Sequence, residues 1–215
     1  TDNKYIRLFM YKYFNVKAVI SLPTLAFDPY TKTKTSLLFA QKKTKKQINE
    51  WNLHWTTYTN EWSKLKTKIT NLLKVYIEKG DRSKYPSIKK LTLTEEKTYL
   101  QRMLKDYFEK VDNKLTPKEI VVKYEDELIS LCKYDNDTKD VFGFVNTWWV
   151  FGEVAKELNY SIFMAEVENI GYKRTTRSEK ITENDLYRMN DKNEIIIDDG
   201  VKEKVLDFLR DVKWD

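Results

Sequence analysis

Little in this chain can carry thiol or imidazole chemistry. Its 215 residues include one cysteine, Cys132, and one histidine, His54. Disulfide frameworks, Cys/His zinc sites and haem attachment motifs are excluded by that count. Five glycines and four prolines make up about a third of the usual combined share of roughly 12%. Gly80, Gly143, Gly152, Gly171 and Gly200 stand mostly tens of residues apart, so neither a dinucleotide fingerprint nor a P-loop can be written. Scarce turn residues also disfavour a many-stranded sandwich or barrel and favour long helices. No run approaches the ~18 apolar residues of a membrane span. The first residues, TDNKYIRLFMYKYF, are charged throughout and lack a small-residue cleavage site, unlike a signal peptide. With a single thiol, a cytoplasmic setting is the expectation.

Charge is plentiful and uneven. The net charge is +6, but residues 1–90 hold 19 Lys/Arg against 6 Asp/Glu and residues 91–215 hold 20 against 27. Lys32, Lys34, Lys42, Lys43, Lys45 and Lys46 fall in one 15-residue window. Such a stripe points to an anionic partner, nucleic acid first. The plain alternative is a solvated, lysine-rich surface.

Periodicity predicts an α+β, mostly helical fold. Ile6, Phe9, Met10 and Tyr13 mark a short amphipathic helix. The run Ala18 to Leu22, stopped by Pro23, has the pattern of a strand buried on both faces. TSLLFAQK reads as a second strand after a polar loop. Two strands do not make a stable sheet, so a later segment or another chain must complete it. Trp51, Trp55, Tyr58, Trp62, Leu65, Ile69, Leu72 and Tyr76 are spaced 4-3-4-3-4-3-4. That heptad predicts a coiled-coil-like helix over residues 46–79, roughly 50 Å long, ended by Gly80-Asp81 and packed on a helix of the same chain. Thr94 is the expected cap of a helix over 95–112, its antiparallel partner. Thr116-Pro117-Lys118-Glu119 is a capping box opening a helix to about Cys132. Residues 145–158 read as a further helix. SIFMAEVENIGY reads as a strand turning at Gly171, KRTTRSEKITEND as a polar loop and EIIIDD as a strand. Asp199-Gly200 opens a last helix carrying Val201, Val205, Phe208 and Leu209. The expected divisions are 1–45, 46–135 and 136–215.

No complete active site can be assembled from these residues. His54 lies inside the heptad helix and reads as a surface or packing histidine. Cys132 reads as a structural thiol. Glu125-Asp126-Glu127 and Asp198-Asp199 read as solvated faces or helix starts, and no metal site is expected.

Two segments carry more. Residues 14–42 contain Leu22-Pro23, Phe27, Pro29-Tyr30, Thr35-Ser36-Leu37-Leu38-Phe39 and Lys42. Downstream stand Phe163-Met164-Ala165, Ile170-Gly171-Tyr172 and Asn184-Asp185-Leu186. In this order they resemble the late motifs of adenine-N6 DNA methyltransferases, the modification subunits of type I restriction–modification systems. The resemblance covers about a quarter of the chain and implies the last strands of a Rossmann-like sheet. It also implies a helical region after them and a small β-containing C-terminal segment.

By that resemblance the chemistry is methyl transfer from S-adenosylmethionine to adenine N6, on a base flipped from the duplex. Phe27 and Tyr30 become candidates for the target-base loop, although Phe27 could equally anchor the loop on the sheet. Lys32, Lys34, Arg174 and Arg177 become candidate phosphate contacts, with Lys173 beside them. The implied partners are double-stranded DNA, a DNA-specificity subunit and a restriction subunit. The family's glycine-containing cofactor loop and its Asn/Asp-Pro-Pro-Phe/Tyr motif are both missing from this sequence. The expectation is therefore a C-terminal fragment with no catalytic or cofactor residues of its own, inactive alone and without bound S-adenosylmethionine. Two competing readings are a non-catalytic helical adaptor for nucleic acid or protein, and a standalone coiled-coil dimer.

Overall fold

A computed structural model describes residues 4–24, 26–108, 113–133, 145–174, 177–197 and 200–214. The chain is α+β, with seven α-helices and small sheets of two or three strands among these residues. It divides into two compact units: residues 1–6 with 49–159, and residues 7–48 with 160–215. The first is helical and the second mixed.

The helical unit is organised along α2 (Lys45–Tyr76), most of which belongs to it. The heptad is realised: Trp51, Trp55, Trp62, Leu65, Ile69 and Leu72 are buried. Trp51 and Trp55, one turn apart, stack with centroids 4.7 Å apart. The two tyrosines of the seam keep their hydroxyls on carboxylates, Tyr58 on Glu157 at 2.7 Å and Tyr76 on Glu96 at 2.6 Å. Helix α3 (Leu93–Met103) runs antiparallel to α2. Arg102 pairs with Glu61, Lys68 lies 3.8 Å from the Tyr99 ring centre, and Tyr76 meets Glu96, so rising positions on one helix meet falling ones on the other.

The seam of α2 is thus covered within the chain. Its end differs in detail from expectation. Helical residues stop at Tyr76, Lys79 takes the left-handed conformation with φ 54°, and the Gly80 N–H reaches back to the Lys74 carbonyl at 2.9 Å. Gly80 serves close approach: a Cβ there would lie 3.0 Å from the Tyr85 Oη.

The cap of α3 is Thr92, two residues before the expected Thr94. Thr92 and Glu95 form a reciprocal capping box, and Glu95 is the only Glu that stands at N3 from a hydroxyl cap there. The helix closes at Met103, well short of 112. Thr116 and Glu119 form the expected box on α4 (Pro117–Lys123). That helix breaks at Tyr124 (φ −114°, ψ 31°) before α5 (Glu125–Leu131). Asn146 caps α6 (Thr147–Glu157) with its side chain on the Trp149 N–H and also donates to the Leu131 carbonyl at 2.8 Å, tying α5 to α6.

The mixed unit begins within α1 (Lys4–Tyr13), where Leu8 is buried. Strand β1 (Phe14–Ser21) is central in a sheet of order β2-β1-β3, between β2 (Ser36–Lys42) and β3 (Phe163–Glu166). β1 pairs antiparallel with β2 and parallel with β3. The missing strand therefore comes from later in the same chain. β1 is not buried on both faces. Val16, Ala18 and Ile20 are buried while Asn15, Lys17, Val19 and Ser21 are half-covered, an alternation proper to a sheet with one dry face.

The core beneath it joins Ile20, Leu22, Ala26, Val167 and Val205, with Phe39, Phe163 and Leu186 packed against them. The segment read as a polar loop is a hairpin of β4 (Ile170–Arg174) and β5 (Glu179–Asn184). EKITEN is polar at nearly every position, and its one aliphatic, Ile181, is 87% exposed, so alternation gave no sign of it. Gly171 is a strand bulge residue at φ 90° rather than a turn. Strands β6 (Arg188–Met189) and β7 (Ile195–Ile196) form a second short ribbon. The last helix, α7 (Val205–Leu209), starts later than Asp199-Gly200 because Asp207 collects the Lys204 N–H at 3.0 Å and the Glu203 N–H at 3.3 Å. Residues 109–112 of the expected helix over 95–112, and Asp198 and Asp199, lie outside the described residues. No helix among the described residues is long and apolar enough to cross a membrane.

Candidate nucleic-acid interface

The six candidate residues all belong to the mixed unit. Phe27, Tyr30, Lys32 and Lys34 lie on the loop between β1 and β2, whose ends are closed by the Leu22 N–H on the Thr35 carbonyl at 3.0 Å. Inside it, the Phe27 carbonyl accepts from the N–H groups of Tyr30 (2.8 Å) and Thr31 (3.1 Å). The Asp28–Pro29 peptide is cis. Leu22 and Ala26, at 6% and 3% exposure, anchor the loop in the core, whereas Phe27 is 46% and Tyr30 83% exposed. Anchoring thus falls to neighbours of Phe27, and both aromatic rings offer surface to solvent.

Hairpin β4–β5 holds this loop from the far end of the sequence. The Tyr172 hydroxyl donates to the Ala26 carbonyl at 3.1 Å across 146 positions. Lys34 forms an ion pair with Glu166 at the end of β3, which lowers the Glu166 carboxyl below its usual range. Arg174 sets Nε at 2.9 Å and a terminal nitrogen at 2.6 Å from one oxygen of Glu179. Glu179 is the main cause of a raised Arg174 pKa, with smaller contributions from Tyr30 and Tyr172. Lys32 and Arg177 are exposed.

The downstream motif residues work as fasteners. Ile170 packs on the core. Asp185 accepts the N–H groups of Glu168 (3.1 Å) and Asn169 (2.8 Å), and the Asn184 side chain accepts the Leu186 N–H at 2.9 Å. Leu186 joins the core. Sequence reasoning missed Tyr172, Glu166 and Glu179 as partners of the loop and its cations. The Ile170-Gly171-Tyr172 triplet was the one available signal, because a left-handed glycine beside an aromatic marks a shaped backbone.

Elsewhere the chemistry is quiet. Burial pushes the Cys132 thiol above its ordinary pKa, the opposite of an activated nucleophile. His54 is half-buried on α2. Glu125, Asp126 and Glu127 occupy the first turn of α5, where the helix dipole favours them. No group of three or more metal-ligating side chains is gathered among the described residues. No protein-family model matches the chain, and no curated protein matches it.

Proposed function

We propose that this chain is the DNA-facing C-terminal portion of an S-adenosylmethionine-dependent adenine-N6 DNA methyltransferase of the type I restriction–modification kind. One observation carries the reading. The two segments that resemble that family lie far apart in sequence yet fold onto each other, through the parallel β1–β3 pairing and the bond from Tyr172 to Ala26. The three-stranded sheet then supplies the last strands of a Rossmann-like sheet. In this reading Tyr30 and Phe27 stack on the flipped adenine, and Lys32, with Lys34, Arg174 and Arg177, takes backbone phosphates. Duplex DNA and a DNA-specificity subunit are the partners this implies, with a restriction subunit in the larger assembly.

The cavities along α2 do not suit the cofactor. Two cavities of about 280 and 220 Å³ lie along α2, lined among others by Lys66, Thr67 and Asn71 in one and Lys64, Lys68 and Arg102 in the other. A sulfonium cation is repelled by those lysines, and Glu61 beside the second is already paired with Arg102. On the proposed reading, the cofactor and the amino-group acceptor motif belong to another part of the enzyme.

The test is fluorescence anisotropy with a labelled duplex carrying a mismatched adenine. Stacking of one base is worth about 1–3 kcal/mol by alanine substitution, so Tyr30→Ala should weaken binding at least about fivefold and Phe27→Ala by a similar factor. Lys32→Glu should make the salt dependence shallower by about one unit. Unchanged affinity in all three variants would overturn the reading and leave a helical adaptor as the better one.

A further inference from the structure

The β4–β5 hairpin sorts its cations onto two faces. Its register sets Tyr172 opposite Ile181, Lys173 opposite Lys180 and Arg174 opposite Glu179. Side chains alternate along a strand, so Tyr172, Arg174, Glu179 and Ile181 share one face and Lys173 and Lys180 share the other. The first face is engaged: Tyr172 holds Ala26 and the Arg174 charge is matched by Glu179. The second carries two like charges directly opposite each other. Both lysines are exposed, and neither forms an ion pair among the described residues.

Like charges facing across an antiparallel pair destabilise it, with their Cβ atoms only about 5 Å apart. A bare ribbon gains nothing from this arrangement, but an anion between the two ammonium groups reverses its sign. A two-stranded ribbon also matches the width of a DNA major groove, whose rims are phosphates. We infer that Lys173 and Lys180 form a phosphate-binding pair, the hairpin's contact with the nucleic-acid backbone, while Arg174 is a positioning residue that ties β4 to β5 through Glu179. This rests on the nucleic-acid reading above, and it moves the hairpin's phosphate contact from Arg174 to a lysine pair that includes Lys180.

The experiment is a salt titration of a short fluorescein-labelled duplex with the full chain, as wild type, Lys173→Gln/Lys180→Gln and Arg174→Gln. Two lost phosphate contacts should make the slope of log affinity against log salt shallower by about 1.8, and Arg174→Gln should leave the slope nearly unchanged. The double variant should melt no lower than wild type, and about a degree higher if repulsion is relieved; a purely structural role would lower the melting point and leave the slope alone. Wild-type binding with an unchanged slope in the double variant overturns the lysine pair and spares the nucleic-acid reading. Equal flattening by Arg174→Gln overturns the division of roles. If the wild type shows no salt-dependent binding, the nucleic-acid reading falls and the pair falls with it.

Discussion

The helical unit is drawn almost wholly from one continuous stretch, residues 49–159, while the mixed unit joins residues 7–48 to 160–215. That difference sets what holds each together. The helical unit rests in good part on local devices, two capping boxes and a heptad seam, with the cations of Arg102 and Lys105 over the Trp149 ring, at 5.5 and 5.4 Å, adding contacts of intermediate span. The mixed unit depends on bonds between distant segments: β1 with β3, Tyr172 with Ala26, Lys34 with Glu166. Contacts of the first kind form early and cheaply in chain entropy, whereas those of the second require a long loop to close before any of them form.

Each unit also contains a buried carboxylate. Glu96 is fully buried and takes Tyr76 and Arg82. Asp207 is 3% exposed and takes Arg188 together with the Lys204 N–H. Removing either takes an acceptor from partly buried donors, at about 2–4 kcal/mol. Glu96→Ala should destabilise the helical unit, and Asp207→Ala the mixed one. Five of the six tryptophans, at 51, 55, 62, 148 and 149, fall in the helical unit. Urea melts followed by tryptophan fluorescence should therefore shift strongly in Glu96→Ala and weakly in Asp207→Ala, while hydrogen exchange of β1–β3 amides shows the reverse. Equal shifts by both probes in both variants would mean that the two units unfold as one.

The same contrast explains how much was legible beforehand. The heptad named the buried face of α2 residue by residue, because a helix reports its packing at a fixed period. Thr116-Pro117-Lys118-Glu119 announced its cap for the same reason. Hairpin β4–β5 was not legible, since a ribbon with both faces largely wet shows no alternation to read. The double-sided burial expected of β1 failed because Val19 and Ile20 look alike in sequence although only Ile20 reaches the core. In the candidate site, Phe27, Tyr30 and the lysines could be named from motif order, but the partners Glu166, Glu179 and Tyr172 could not. Pairings across 132 or 146 positions leave no local trace.

Two glycines sharpen the comparison at smaller amplitude. Gly171 in the mixed unit has φ 90°, and a Cβ there would stand 3.2 Å from Asn184 Nδ2. Gly171→Ala combines a left-handed backbone with a crowded neighbour and should cost about 2 kcal/mol. It should also loosen the hairpin that carries Tyr172. Gly80 in the helical unit has only the crowding, from Tyr85 and the Lys74 carbonyl, so Gly80→Ala should cost about 1 kcal/mol. Chemical denaturation of both variants orders the two effects; the reverse order would mean that close approach outweighs backbone strain here.

The smallest effect is on acid stability, and it too separates the units. In the helical unit, the Thr92 and Thr116 N–H and hydroxyl groups hold Glu95 and Glu119 below the usual carboxylate range, and hydrogen bonds from Ser83 do so for Asp81. Burial raises Glu153, but bonds from Lys105 and Lys156 outweigh it and lower that carboxyl as well. In the mixed unit, Glu166 is lowered by Lys34. A carboxyl lowered in the folded state stabilises it fully above its unfolded pKa, about 4.3 for Glu, and that contribution is lost as pH falls through the lowered folded value. Thermal melts from pH 7 down to about 3 should therefore fall more steeply for the helical unit, read by tryptophan fluorescence, than for the mixed one. Thr92→Val/Thr116→Val removes the hydroxyl half of both boxes, lowers stability at neutral pH and makes the acid slope shallower. A slope that stays as steep in this variant would show that the capping carboxylates are already solvated as they are in the unfolded chain, and that the helical unit's acid sensitivity resides in Glu153.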